Sequence, residues 1–86
     1  MKLIKSQNKL SIMNAKHIYY IDIADEVDEH GKLTGNSDID VYFDSAEDSW
    51  MQTIGTYRTA HECIQHLDRL ASFLSSDSCS GMYEMP

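Results

Sequence analysis

The chain has 86 residues, with seven Lys and Arg against fourteen Asp and Glu, a net charge of −7, and 42% apolar residues. A chain this short has room for one core, so residues 1–86 are expected to form a single domain. The acidic balance argues against direct nucleic-acid binding, because such affinity comes from Lys and Arg displacing phosphate counterions. The longest apolar run, Ile18-Tyr19-Tyr20-Ile21, falls well short of the roughly 20 residues of a membrane span or the about 7–15 of a signal-peptide core. The expectation is a cytoplasmic protein with no membrane partner.

In chain order, Lys2 to Ser6 and Leu10 to Met13 read as two short strands around the turn Gln7-Asn8-Lys9. Residues 17–24 form a third strand rich in Ile and Tyr. Its alternation puts Tyr19, Ile21 and Ile23 inward, and Ile18, Tyr20 and Asp22 outward. Asp25 to Ser37, with Gly31, Gly35 and Asn36, reads as a long hairpin connection, mobile at its tip. Residues 38–44 alternate plainly, with Ile39, Val41 and Phe43 on one face and Asp38, Asp40, Tyr42 and Asp44 on the other. A half-buried antiparallel strand has this period of two.

Ser45-Ala46-Glu47-Asp48-Ser49 makes a turn into a strand over 50–57. Trp50 and Ile54 share one of its faces, and Met51 and Tyr57 the other. A bulge at Gly55 would carry both Ile54 and Tyr57 into the core. Then Ala60, Cys63, Ile64, Leu67, Leu70, Ala71 and Leu74 recur at three and four residues, predicting an amphipathic helix over about 60–75. Thr59-Ala60-His61-Glu62 fits a capping box at its start. Gly81-Met82-Tyr83-Glu84-Met85-Pro86 adds a last short strand. The sum is an α+β fold, a mostly antiparallel sheet of four to six strands with one helix packed on one face.

Three segments carry a resemblance: Lys5-Ser6-Gln7-Asn8, Ile54-Gly55-Thr56-Tyr57 before the helix, and Met82-Tyr83-Glu84-Met85-Pro86. Together the pattern resembles short uncharacterised proteins of Gram-positive bacteria and their phages, which share a Ser-Gln-like turn, a Leu-Gly-x-Tyr strand before a helix and a Tyr-x-Met-Pro-like tail. The resemblance implies a phage or mobile-element origin and carries over no functional residue.

Charge is unevenly spread. Residues 22–48 hold ten of the fourteen acids against Lys32, while residues 1–16 hold Lys2, Lys5, Lys9 and Lys16 and no acid. Such an asymmetry steers a basic partner, although a solvated loop kept charged for solubility produces the same pattern. With one helix covering one sheet face, the other face presents Tyr20 and Tyr42 among Asp38, Asp40 and Asp44. Tyrosines in an acidic field suit a protein interface, either with another protein or with a second copy of the chain. The expected function is therefore a non-enzymatic protein-interaction module. The alternative is an acidic inhibitor that imitates DNA towards a nucleic-acid enzyme.

Other chemistry finds little support. Glu26-x-Asp28-x-His30-Gly31 has the opening of a calcium loop, but its twelfth position is Ser37, where a bidentate Glu is required. Cys63 and His66 are a helical step apart, yet a structural zinc site needs four ligands. Asp38 and Asp40 share a face by alternation alone, with no cleft to raise one pKa for acid–base work. Cys79 has Ser and Gly around it and no base nearby, and the four glycines form no phosphate loop. No catalytic residue, metal or cofactor is expected. Cys63, on the helix's apolar stripe, and Cys79, in a Ser-rich loop, are expected to be free thiols.

Overall fold

A computed structural model of the chain describes residues 1–44 and 49–86, Asp44 and Ser49 by their backbone only. The described elements are β1 (Lys2–Lys5), β2 (Ile12–Asn14), a 3-10 turn (Ala15–His17), β3 (Ile18–Val27), β4 (Leu33–Asp44), β5 (Ser49–Tyr57), α1 (Ala60–Leu74) and β6 (Gly81–Glu84). This is an α+β fold. The strands form two three-stranded sheets, β2-β1-β6 and β3-β4-β5, rather than a single sheet. All pairings are antiparallel except β1 with β6, which is parallel. The turn expected at Ser45-Ala46-Glu47-Asp48 lies outside the described residues.

The turn after β1 meets β5 through one residue instead of a strand. Gln7 N–H donates to Ile54 O at 2.8 Å. The Gln7 side-chain amide accepts from Thr56 N at 2.8 Å and donates to Thr56 O at 3.1 Å. A side chain thus stands in for a neighbouring strand along this part of the β5 edge.

One core joins both sheets and the helix. Ile4, Met13 and Met85 enter it from the small sheet and its tail, Ile39, Val41, Phe43, Ile54 and Tyr57 from the large sheet, and Cys63 and Leu70 from α1. Thr59 Oγ1 accepts from Glu62 N at 3.1 Å, which caps the helix as its sequence predicts. The buried stripe of α1 is rotated from the expected one. Ile64 is exposed, while Phe73 packs partly buried against the core and His66 lies 4.4 Å from the Tyr57 ring, centre to centre. Phe73 likewise meets the Tyr83 ring of β6 at 5.8 Å, centre to centre.

Two expectations about β3 and β4 are corrected. The long connection over 25–37 is mostly strand. β3 continues to Val27 and β4 begins at Leu33, with Glu26 Oε1 accepting from Thr34 Oγ1 at 2.6 Å and from Asn36 Nδ2 at 3.2 Å. What remains is a tight turn in which Asp28 Oδ1 accepts from the backbone of His30 and Lys32 and Gly31 takes φ 78°. At the start of β3, a bulge reverses two side chains. The pairing passes from Ile18↔Phe43 to Tyr20↔Tyr42, leaving Tyr19 as the extra residue. Ile18 therefore faces the core and Tyr19 is 71% exposed, the opposite of the alternation expected. The β3–β4 register shifts again between Asp25↔Ser37 and Val27↔Leu33, and in the β4–β5 pairing a bulge falls where Gly55 marks it. It lies between Ile39↔Gly55 and Asp40↔Thr53, and both Ile54 and Tyr57 are buried.

Candidate interaction surface

With Ile39, Val41 and Phe43 turned into the core, β4 sends Asp38, Asp40 and Tyr42 to the other side of its sheet. Pairing builds three rungs across that outer face. Tyr20 stands opposite Tyr42, which stands opposite Met51; Asp22 opposite Asp40, then Thr53; and Ala24 opposite Asp38, then Thr56. Four of the five residues expected at this surface are thus described. For Asp44 the backbone pairs with Ser49 and the side chain lies outside the described residues.

The top rung is aromatic. The Tyr20 and Tyr42 rings stack with centroids 4.2 Å apart and planes 6° from parallel, and the Tyr19 ring meets Tyr20 edge-on at 5.5 Å. Tyr20 remains 46% exposed. The rings hold each other in place while keeping a face towards solvent, a low-entropy arrangement for binding.

The middle and lower rungs are acidic. Thr53 Oγ1 donates to Asp40 Oδ1 at 2.6 Å, and Thr56 Oγ1 to Asp38 Oδ1 at 2.6 Å. Asp40 is only 4% exposed, although it lies on the outer face. Burial pushes the Asp40 carboxyl above the usual carboxylate range; the Thr53 bond pulls it back, and the charges of Asp38 and Asp22 push it up further. Burial likewise raises the Tyr42 phenol, with Asp22 the next contributor. Asp22 Oδ1 is buried and has no hydrogen-bond donor. Among the described residues, no ion pair involves Asp22, Asp25, Asp38 or Asp40; the pairs formed are Lys5–Glu84 and His30–Glu29.

Alternation in β3 and β4 is enough to find Tyr20, Tyr42, Asp38 and Asp40. Asp22, Met51, Thr53 and Thr56 complete the surface. Asp22 was legible from its place two residues beyond Tyr20. The threonines were not, because their placement depends on the bulge at residues 54–55.

Open depressions of about 580 and 600 Å³ lie elsewhere, one beside Met1, Ala15 and Leu74, the other between Leu10, Ile12, Phe43 and Trp50. Neither contains a residue of the three rungs. Among the described residues, no group of three or more His, Cys, Asp or Glu side chains is placed to hold a metal ion. The Cys63 thiol is buried and donates to Ser37 O at 3.4 Å, away from any ligand role with His66, and Cys79 is exposed; both are free. No helix among the described residues is long and apolar enough to cross a membrane. No protein-family model, curated protein or solved structure matches the chain.

Proposed function

We propose that this protein is a non-enzymatic interaction module that docks another protein on the outer face of β3-β4-β5. The observation that carries the reading is the Tyr20–Tyr42 stack beside the Asp22–Asp40 rung, on the face of the sheet opposite the core. A half-exposed aromatic anchor that lines none of the depressions described, with hydrogen-bonded polar neighbours, suits a protein partner better than a small molecule, which seeks a concave site. The Thr56 bond to Asp38 fixes that carboxylate in place, as a specific contact requires, while Asp40, nearly fully buried, contributes charge beneath the surface.

The test is capture of a partner from a host lysate by wild type and by a Tyr20→Ala/Tyr42→Ala variant with unchanged circular dichroism. Loss of the captured protein in the variant supports the face, and equal capture removes it. The same complex should survive a rise in salt. One that dissolves steeply with ionic strength points instead to an acidic inhibitor imitating a nucleic-acid backbone.

A further inference from the structure

β3 is the terminal strand of its sheet, and among the described residues no backbone hydrogen bond reaches its outer edge. The opposite edge, on β5, is partly occupied, because Gln7 fills it at Ile54 and Thr56. A bare edge of 10 residues is a ready template for one more strand.

Charge decides which strand. β3 carries Asp22, Asp25 and Glu26 and no Lys or Arg, and Asp28 and Glu29 follow directly. The negative excess of the whole chain resides in residues 22–48; outside them six basic residues face four acids. A second copy pairing along this edge would bring carboxylates against carboxylates, which is unfavourable in cross-strand neighbours. A basic strand meets the opposite situation.

We infer that β3 accepts an extended, arginine-bearing segment of a partner protein as an added strand, with one guanidinium seated between the Tyr20–Tyr42 stack and the half-buried Asp22 carboxylate. The inference rests on the interaction reading above and names its partner's chemistry. An added strand sends every second side chain to the tyrosine face, so alternate arginines suffice. A guanidinium offers planar donors to a carboxylate and lies flat on an aromatic ring. The Tyr19 bulge breaks the regular edge at its beginning and places the docking length beyond it, from Tyr20 onward.

The probe is a blocked synthetic octapeptide of alternating Arg and Val, compared with the same peptide N-methylated at alternate backbone nitrogens and with a Glu-Val counterpart. The readout is amide hydrogen exchange in 15N-labelled protein together with peptide affinity. Bound Arg-Val peptide should slow exchange at alternate amides of residues 20–26. N-methylation, which removes strand donors, and Asp22→Asn, which weakens a charge-assisted bond, should each lower affinity by about ten-fold. Unchanged exchange in β3, full affinity of the methylated peptide, or equal binding of the Glu-Val peptide overturns the inference. These outcomes are separable from the lysate experiment. A partner lost on Tyr20→Ala/Tyr42→Ala while β3 amides stay unprotected removes strand addition alone, whereas equal capture by that variant removes the face itself.

Discussion

The hydroxyl of Tyr57 donates to the main-chain oxygen of Pro86 at 3.0 Å. Around this bond, three segments distant in the chain come together. Gln7 pairs with Ile54 and Thr56, Met85 N–H donates to Lys5 O at 3.0 Å, and the Met85 side chain is buried. Gly55 makes room for the arrangement, since a Cβ there would lie 2.6–2.9 Å from the hydroxyl and ring atoms of Tyr57. Gly55→Ala should therefore displace the ring and cost about 1–3 kcal/mol, the usual scale of overpacking. Tyr57→Phe removes the nearest clashing atom, so the double variant should lose less than the two single losses added together. Denaturant melts of the four proteins measure this, and strict additivity would show that the ring is not what Gly55 accommodates.

The same tyrosine predicts alkaline behaviour. Burial pushes the Tyr57 phenol up to about 12. In the unfolded chain it ionises near its ordinary value of about 10. Between those values the folded state binds more protons than the unfolded one, so stability falls as pH rises through that window. Tyr57→Phe should remove this part of the alkaline loss, and melts from pH 9 to 11 in wild type and variant should converge as pH increases.

Asp40 gives the acid counterpart. Its folded pKa is raised, chiefly by burial, with Asp38 and Asp22 adding to it against the Thr53 bond. A raised carboxyl makes the folded state bind more protons as pH climbs from the ordinary carboxylate value of about 4, so this group's contribution to stability declines across that window and is flat above it. Asp40→Asn keeps an oxygen to accept from Thr53 and removes the buried charge. The variant should melt higher than wild type at pH 7, with the difference shrinking as pH falls towards 3. A difference that grows on acidification would reverse the assignment.

What the sequence revealed of this fold follows from what periodicity can encode. Ile39, Val41 and Phe43 stand out because polar residues separate them, and the outer face of β4 was legible as their complement. Ile18-Tyr19-Tyr20-Ile21 offers no such contrast. Every residue there is apolar or aromatic, so a one-residue shift of register leaves the pattern looking the same and hides the bulge. Gly55 announced its bulge because its missing side chain implies a close neighbour. Gly31 and Gly35 misled in the other direction. Gly31 belongs to the turn, but Gly35 lies inside β4 at φ 92°, so two glycines suggested a longer loop than the strands leave. The meeting of the small sheet's turn with β5 had no sequence signal, because it rests on one glutamine.

Lys2 supplies the last prediction. Its ammonium donates to Phe73 O at 2.9 Å, Leu74 O at 2.8 Å and Ser76 O at 2.9 Å, at the end of a helix with no basic residue in its own last turn. Helix C-termini leave carbonyls without intrahelical partners, and a cation there meets both these acceptors, Phe73 O being shared with Ser76 Oγ at 2.8 Å, and the negative end of the helix dipole. Because Lys2 belongs to β1, this contact also ties the small sheet to α1. Lys2→Met retains most of the aliphatic stem and removes all three donors, so it should cost about 1–2 kcal/mol and speed amide exchange over the last helical turn. Lys16→Met, at an exposed position, is the control and should stay within about 0.5 kcal/mol of wild type. Equal stability of the two variants would mean that water serves those carbonyls as well as the lysine does.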